Sequence, residues 1–312
     1  MKYEEYKQQL IQELQAWGNT NNYEINETTS QKVNGPAETI TIKNPEENVA
    51  PAIYPKALYE QYTNGVSLEE QLEHIKESAI APIPEAIKNL DITRDFIEPN
   101  LFPEVISAKA NEELLKTVPH RIIADDLALV ARIKVEGVDG GTILCTNPLM
   151  EKCQMTKSEI LDGALQNQEQ KSYTVMSLFE QIGILMDDPY GAPTDDGGLL
   201  ILTNNDKHFG AAEILNRRAM KEVANKIKGD FFCLPSSIHE FLFCPVSSGA
   251  DAKSLKEMVM SVNATTVEKC DKLSDSVYYY DSAKHTLTNI DSLSFKNSMN
   301  ADSIKSSRSM HM

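Results

Sequence analysis

The sequence lacks any long hydrophobic run. No apolar stretch reaches the roughly 18 residues that a membrane-spanning helix requires. The first residues, MKYEEYKQQLIQELQAW, contain two early glutamates and no continuous apolar segment of the kind found in a secretory signal. We therefore expect a protein that does not bind a membrane, is not exported and works in the cytoplasm.

Cysteine is scarce and its spacing forms no pair. The chain has five cysteines and no C-x-x-C sequence; they are Cys145, Cys153, Cys233, Cys244 and Cys270. An odd number at wide spacing predicts neither a disulfide framework nor a zinc knuckle. We expect reduced thiols, and neither a cofactor nor a metal.

Basic residues are too few for a broad nucleic-acid-binding surface. The net charge is −16, and the first 120 residues hold twenty acidic against ten basic side chains. Binding to a phosphate backbone depends on clustered lysine and arginine, so we expect no direct contact with DNA or RNA. An acidic surface usually serves solubility, and in some proteins it meets a basic partner.

The composition is otherwise that of an ordinary globular protein. Hydrophobic residues make up 41% and charged residues 24% of the 312 residues. These proportions are typical of a folded chain, and the length suits one large domain or two smaller ones.

The N-terminal third predicts a helix, a hairpin and further helices. Apolar residues recur at helical spacing from Tyr6 to Trp17, and Gly18 is predicted to end that helix. The alternating segment 22–43 has Asn-Gly-Pro in its middle, which predicts two strands joined by a turn. The S-x-x-E sequence that begins at Ser67 predicts the start of another helix.

The rest of the chain predicts antiparallel strands and three helices. Apolar runs on both sides of the glycine-rich segment 137–141 predict a hairpin. Helices are predicted after a capping box at Thr156, after Asn216 and from Ala252. The short apolar segments DFFCL, FLFC and SVYYYD are predicted strands.

Together these elements predict an α+β protein of two lobes, with a mostly antiparallel sheet that carries helices on one side. We place an acidic lobe of helix, hairpin and helices at residues 1–115, and an α+β lobe at residues 116–282. Segment 283–312 is rich in serine and lysine and has few large apolar residues. It is predicted to be a mobile tail.

The segment CLPSSIHEFLFCP, residues 233–245, is the leading candidate for a site. Ser237, His239 and Glu240 are residue types of a hydrolase, in which a base activates a serine hydroxyl and an acid orients the base. Close neighbours on a strand seldom reach that geometry, because Glu240 points to the face opposite the other two. The G-x-S-x-G sequence that presents a nucleophile is also missing.

A chain reversal accounts for the same residues. Pro235 is predicted to stop the preceding strand, and Ser237 to Glu240 has the S-x-x-E form over a single turn. His239 and Glu240 begin an H-E-x-x-H zinc sequence, but Phe243 occupies the position of the second histidine. We assign no catalytic residue, and we keep Ser237, His239 and Glu240 as candidates.

Other segments offer weaker sites. Lys207 and His208 could meet an anion at a helix start. Segment 137–141 lacks the lysine of a phosphate-binding loop. The aspartates within segment 187–196 lack the spacing of a calcium loop, which predicts a solvated loop instead.

Several segments, taken in order, resemble an uncharacterised family of bacterial proteins. They include LLILTNNDKHFGAAEIL, LPSSIHEFLFCP and LSDSVYYYD, and the most specific is LPSSIHE after GAAEIL and a helix. The family is the domain-of-unknown-function family catalogued as 5688, found mainly in low-GC Gram-positive bacteria. The resemblance implies a cytoplasmic protein and transfers no catalytic residue.

The sequence favours a non-catalytic binding or accessory protein that engages a protein partner through its acidic lobe. Two alternatives stay open. One is a hydrolase that uses Ser237 and His239 with a carboxylate from elsewhere in the fold. The other is an acidic decoy that inhibits a nucleic-acid-binding protein.

Overall fold

The computed structural model describes residues 1–47, 50–88, 90–138, 140–180 and 198–292. Within that part of the chain, no helix combines the length and the apolar character needed to cross a membrane. Contacts divide the chain into two compact units. The first comprises Met1–Ile92 and Val135–Thr142, and the second comprises Thr93–Lys134 and the described residues from Ile143 onward.

The first unit combines helices with a three-stranded antiparallel sheet of order β1-β2-β3. Its elements are α1 (Tyr3–Asn21), β1 (Glu24–Lys32), β2 (Gly35–Lys43), β3 (Ala52–Ile53), α2 (Pro55–Thr63), α3 (Leu68–Ile80) and α4 (Glu85–Lys88). The predicted helix, hairpin and Ser67-capped helix are confirmed. Ser67 Oγ accepts the main-chain N–H of Glu70 at 3.2 Å.

Apolar faces of α1, α3 and the hairpin form the core of the first unit. Tyr6, Leu10 and Leu14 on α1 are fully buried, and they belong to one cluster with Ile40 and Ile42 of β2. This pairing of a helical stripe with alternate strand residues is what the two periodicities predict.

The sequence predicts that Gly18 ends α1, but the helix continues to Asn21. A Cβ at Gly18 would lie 2.8 Å from the carbonyl oxygen of Tyr23 and 3.0 Å from Ile25 Cγ1. The glycine therefore allows the returning chain to pack closely on the helix.

The second unit has two antiparallel sheets. Its elements up to the second sheet are α5 (Arg94–Asn100), β4 (Leu101–Ser107), α6 (Glu112–Leu115), β5 (Arg121–Ile123), β6 (Leu127–Lys134), β7 (Thr142–Leu144), α7 (Asn147–Lys152) and α8 (Lys157–Glu169). Strands β4, β6 and β5 are neighbours in that order, and β7 also pairs with β6.

The second sheet has six strands in the order β13-β12-β10-β11-β9-β8. Its elements are β8 (Tyr173–Ser177), β9 (Leu200–Asn204), a 3-10 helix (Gly210–Leu215), α9 (Arg217–Ile227), β10 (Phe231–Ser237), β11 (Glu240–Pro245), a 3-10 turn (Val246–Ser248), α10 (Ala252–Thr265), β12 (Tyr278–Asp281) and β13 (Thr286–Asn289). The α+β class predicted from the sequence is confirmed.

Helices cover both faces of the six-stranded sheet, so the prediction of helices on one side is wrong. Phe231 and Cys233 of β10 join the core that includes α9, whereas Leu234 joins Leu255 and Val259 of α10 in a separate cluster. Both faces of the central strands are apolar, and each requires a helix to exclude water.

Residues 93–115 belong to the second unit in the structure, although we grouped them with the N-terminal lobe. The reason is that β4 pairs along its full length with β6, from Leu101–Ile133 to Ser107–Leu127. Of the predicted tail, Thr286–Asn289 forms a strand beside β12. Residues 293–312 lie outside the described residues.

Candidate functional site

The candidate segment forms a hairpin in which Ile238 and His239 are the turn between β10 and β11. The predicted chain reversal is therefore present. Pro235 does not stop the strand, because β10 continues to Ser237 with a register shift between Pro235 and Ser237. The strand tolerates Pro235 because it lies beyond Cys233, the last residue of β10 that pairs with β12.

The main chain of this turn is held by a side chain of the hairpin itself and by two surrounding segments. Ser237 Oγ accepts the N–H of His239 at 3.0 Å, and the N–H of Ile238 donates to the carbonyl of Asp271 at 2.8 Å. Thr203 Oγ1, on β9, donates to the carbonyl of His239 at 2.8 Å. The polar groups therefore pair the backbone donors and acceptors that a chain reversal exposes.

The imidazole of His239 contacts the segments that contain Phe209 and Asp271. Its Nδ1 accepts the main-chain N–H of Phe209 at 3.2 Å. A neutral ring that accepts at Nδ1 carries its proton on Nε2, and Nε2 lies 3.6 Å from Asp271 Oδ1. One side of the ring thus fixes Phe209, whose φ of +58° lies in the left-handed region, and the other side faces a carboxylate.

The three candidate side chains do not form a serine, histidine and acid relay. The hydroxyl of Ser237 accepts from a main-chain N–H, and Nδ1 of His239 is bonded to Phe209 rather than to a hydroxyl. Glu240 accepts a hydrogen bond from Ser236 Oγ at 3.1 Å. A triad requires the base to contact the nucleophile on one side and the acid on the other.

An ion pair with one fully buried partner lies near the turn, and sequence reasoning did not find it. Glu104 on β4 is 0% exposed, and its Oε2 accepts from Arg132 Nε on β6 at 2.6 Å. Burial raises the pKa of Glu104, while Arg132 and then His239 act in the opposite direction. In the described structure Glu104 Oε1 has no hydrogen-bond partner. The signal was available, since both charges interrupt apolar strands, LFPEVIS and LALVARIK.

An aromatic side chain, that of Phe209, lies against the ion pair. The guanidinium carbon of Arg132 lies 4.5 Å from the centre of the Phe209 ring, a distance at which a cation is attracted to a ring face. The His208 and His239 rings stack with centres 5.4 Å apart. Burial, then His239 and Arg132, lower the pKa of His208. These residues therefore form a connected group that extends from the exposed His208 to the fully buried Glu104.

The candidate anion site at Lys207 and His208 is occupied by the chain itself. The main-chain N–H of His208 donates to Asn204 Oδ1 at 3.2 Å, and Asn204 Nδ2 donates back to the His208 carbonyl at 2.8 Å. The next element along the chain is a short 3-10 helix, Gly210–Leu215. The aspartates of segment 187–196 lie outside the described residues.

Two clefts of the second unit lie away from the turn. One has a volume of about 550 Å³ and is lined by residues that include Lys109, His120 and Ile122. The other, of about 460 Å³, is lined by residues that include Leu101 and Asn167. Neither lining includes Ser237 or His239.

One group of side chains in the described structure could share a metal ion. Donor atoms of Glu268, Cys270 and Asp271 lie within 4.8 Å of one another. Burial, together with the smaller effect of the charge on Asp271, raises the pKa of Cys270 to about 11. A protonated thiol is a poor metal ligand, so the group in this state is not suited to coordination.

The fold and the hairpin define an α+β protein with antiparallel sheets. A model of the family of unknown function DUF5688 matches residues 3–282, and the chain belongs to that family. The resemblance seen in the sequence is thereby confirmed. No curated protein and no solved structure shows significant similarity to the chain.

Proposed function

We propose that the chain is a non-catalytic binding protein of the cytoplasm, and that it engages a basic protein partner through its first unit. Charge supports the choice of unit. Residues 1–92 contain fifteen acidic and seven basic side chains, and no arginine. Such a surface raises the rate of encounter with a positively charged partner.

The observation that carries the proposal is a cluster of tyrosine rings on α1 and α2. Ring centres of Tyr3 and Tyr6 each lie 5.4 Å from that of Tyr59, and those of Tyr6 and Tyr62 are 5.2 Å apart. Tyr6 is buried, and the other three are partly exposed. We call Tyr3, Tyr59 and Tyr62 the tyrosine surface. Tyrosine is enriched at binding interfaces because it offers a large, rigid area with a polar end.

Carboxylates adjoin the tyrosine surface. Glu38 Oε2 accepts from the hydroxyl of Tyr3 at 2.6 Å, and Glu38 Oε1 accepts from Lys7 at 3.0 Å. Glu4 and Glu60 come directly after Tyr3 and Tyr59 in the chain and are exposed. A lysine or arginine of a partner would meet both ring faces and carboxylates there, and both attract cations.

The hairpin at His239 supports a binding role over a hydrolytic one. Its hydroxyls and imidazole are engaged with main-chain groups and a carboxylate, as an architectural role requires. The hydrolase alternative needs a serine hydroxyl bonded to the imidazole, and Ser237 is bonded elsewhere.

Binding of a short, fluorescent, lysine- and arginine-rich peptide tests the proposal. At physiological salt, we expect the double variant Glu4→Gln/Glu60→Gln to weaken binding about tenfold relative to wild type. Tyr59→Leu, which keeps apolar volume but removes the ring, should also weaken it.

The matched control is Glu13→Gln/Glu73→Gln, which makes the same change in net charge at exposed positions of α1 and α3. It should leave affinity nearly unchanged. Equal losses in both double variants would show only a response to net charge, and would contradict a defined surface.

A further inference from the structure

Strand β1 is an open edge of the sheet in the first unit. The strand order is β1-β2-β3, and within the described residues β1 pairs with β2 only. It has nine residues, contains neither proline nor glycine, and its register with β2 is continuous from Glu24–Lys43 to Lys32–Gly35. Proline, bulges and short length are the usual devices that block an edge strand, and β1 has none of them.

The hairpin register determines which main-chain groups face outward. Val33 and Asn34 form a two-residue turn between Lys32 and Gly35, and such a turn closes on a hydrogen-bonded pair. Hydrogen-bonded and non-bonded pairs alternate along an antiparallel ladder. Even-numbered residues of β1 therefore bond to β2. The odd-numbered residues direct their N–H and C=O groups away from the sheet; they are Ile25, Glu27, Thr29 and Gln31.

We propose that β1 of a second copy of this chain pairs antiparallel with this edge, with Thr28 on the twofold axis. The outward groups of Glu27 then meet those of Thr29, and the outward groups of Ile25 meet those of Gln31. Each such pair contributes two hydrogen bonds. The two sheets join into one continuous sheet through a self-complementary interface.

Charge complementarity selects this register. With Thr28 on the axis, Glu24 of each copy lies opposite Lys32 of the other, so both ends of the interface carry an ion pair. Moving the axis to Glu27 or Thr29 places Lys32 opposite an asparagine, Asn22 or Asn26, and removes both pairs. The outward hydrogen-bonding groups permit several registers, those with the axis on a residue of β1, and among these three the charges favour the one with Thr28 on the axis.

The test is the mass of the full chain by sedimentation velocity at physiological salt over a range of concentrations. Wild type should form a dimer. Lys32→Glu and Glu24→Lys each turn two attractive pairs into repulsive ones, and each should weaken the dimer about tenfold or more. The double variant Glu24→Lys/Lys32→Glu keeps the net charge and restores opposite charges at both ends, so it should restore the dimer.

Thr29→Pro provides a second test that does not depend on charge. Proline removes the main-chain N–H at position 29, and this N–H faces outward. Pairing with β2 is therefore retained while the edge is blocked. We expect a folded monomer, with Thr29→Ala as the control that keeps the dimer. A wild-type chain that stays monomeric at every concentration, or a dimer unaffected by Thr29→Pro, would overturn the proposal.

This inference is separate from the proposed binding of a basic partner. The monomeric Thr29→Pro variant should bind the lysine- and arginine-rich peptide as wild type does, because the tyrosine surface is unchanged. Loss of dimerisation and loss of peptide binding can therefore be observed independently.

Discussion

Two glutamates among the described residues, Glu104 and Glu213, are buried. Glu213, in the 3-10 helix before α9, is 3% exposed, and its Oε2 accepts from Asn216 Nδ2 at 2.8 Å. Burial raises the pKa of Glu213 to about 7, against the hydrogen bonds from Asn216 and Gln168. The folded protein thus holds this proton across a range in which the unfolded chain has lost it.

The stability of the second unit should consequently depend on pH through Glu213. Between about pH 4.5 and about pH 7 the folded state binds the extra proton, so its stability falls as pH rises and is then constant. Glu213→Gln cannot ionise. The difference between the free energies of unfolding of this variant and of wild type should therefore increase in favour of the variant from pH 5 to pH 8. We expect chemical denaturation to show an increase of at most on the order of 3 kcal/mol.

Glu169→Gln is the control for this measurement, because Glu169 is an exposed glutamate at the end of α8 in the same unit. Its stability relative to wild type should be nearly the same at both pH values. A Glu213→Gln variant that behaves like this control would contradict the buried proton.

At the scale of elements, the hairpin of β10 and β11 is fixed by its neighbours. Gly210 lies where the 3-10 helix passes the turn, and a Cβ there would collide with Thr203 Oγ1 and the His239 carbonyl. We expect Gly210→Ala to destabilise the protein by about 2 kcal/mol or more, because a packed site cannot absorb the methyl group.

Thermal unfolding of the purified variant checks this expectation. Gly229→Ala is the matched control, since no atom lies within 4 Å of the Cβ it would add, and it should be neutral or slightly stabilising. Equal melting temperatures for the two variants would show that the turn is less tightly packed than the structure indicates.

Elements with local signals could be predicted from the sequence. Both hydrogen bonds of the capping box at Thr156 are present. Glu159 N donates to Thr156 Oγ1 at 3.2 Å, and Thr156 N donates to Glu159 Oε2 at 2.7 Å. Asn216 caps α9 as expected. Such bonds join residues close in sequence, and residue type and spacing therefore reveal them.

Contacts between distant segments could not be predicted. Asp271 approaches His239 and Phe209 approaches Arg132 only through the fold. The candidate segment was identified correctly as a turn, but its acid and its hydrogen-bond donor come from elsewhere in the chain. The periodicity of apolar residues along the sequence does not indicate which distant segments come into contact.

At the scale of the whole molecule, the sequence predicts the α+β class and an acidic N-terminal part. It does not predict the extent of each unit, because that extent depends on which strands pair. Pro99 lies within α5 and Pro103 pairs with Ala131 in the sheet, although proline usually interrupts helices and strands. A boundary placed by composition therefore differs from one set by contacts. The proposed function likewise depends on the tyrosine surface, and on the β10–β11 hairpin, whose polar groups bond to other segments of the chain.

The proposal that this hairpin is not a hydrolytic site is tested most directly by reacting the folded protein with a fluorophosphonate, which labels activated serines, and measuring its intact mass. Ser237 Oγ accepts from the His239 main chain, and Nδ1 of the imidazole accepts from the main chain of Phe209, so that nitrogen is not placed to activate the hydroxyl. We predict no adduct at Ser237. An adduct that Ser237→Ala abolishes would contradict the non-catalytic role.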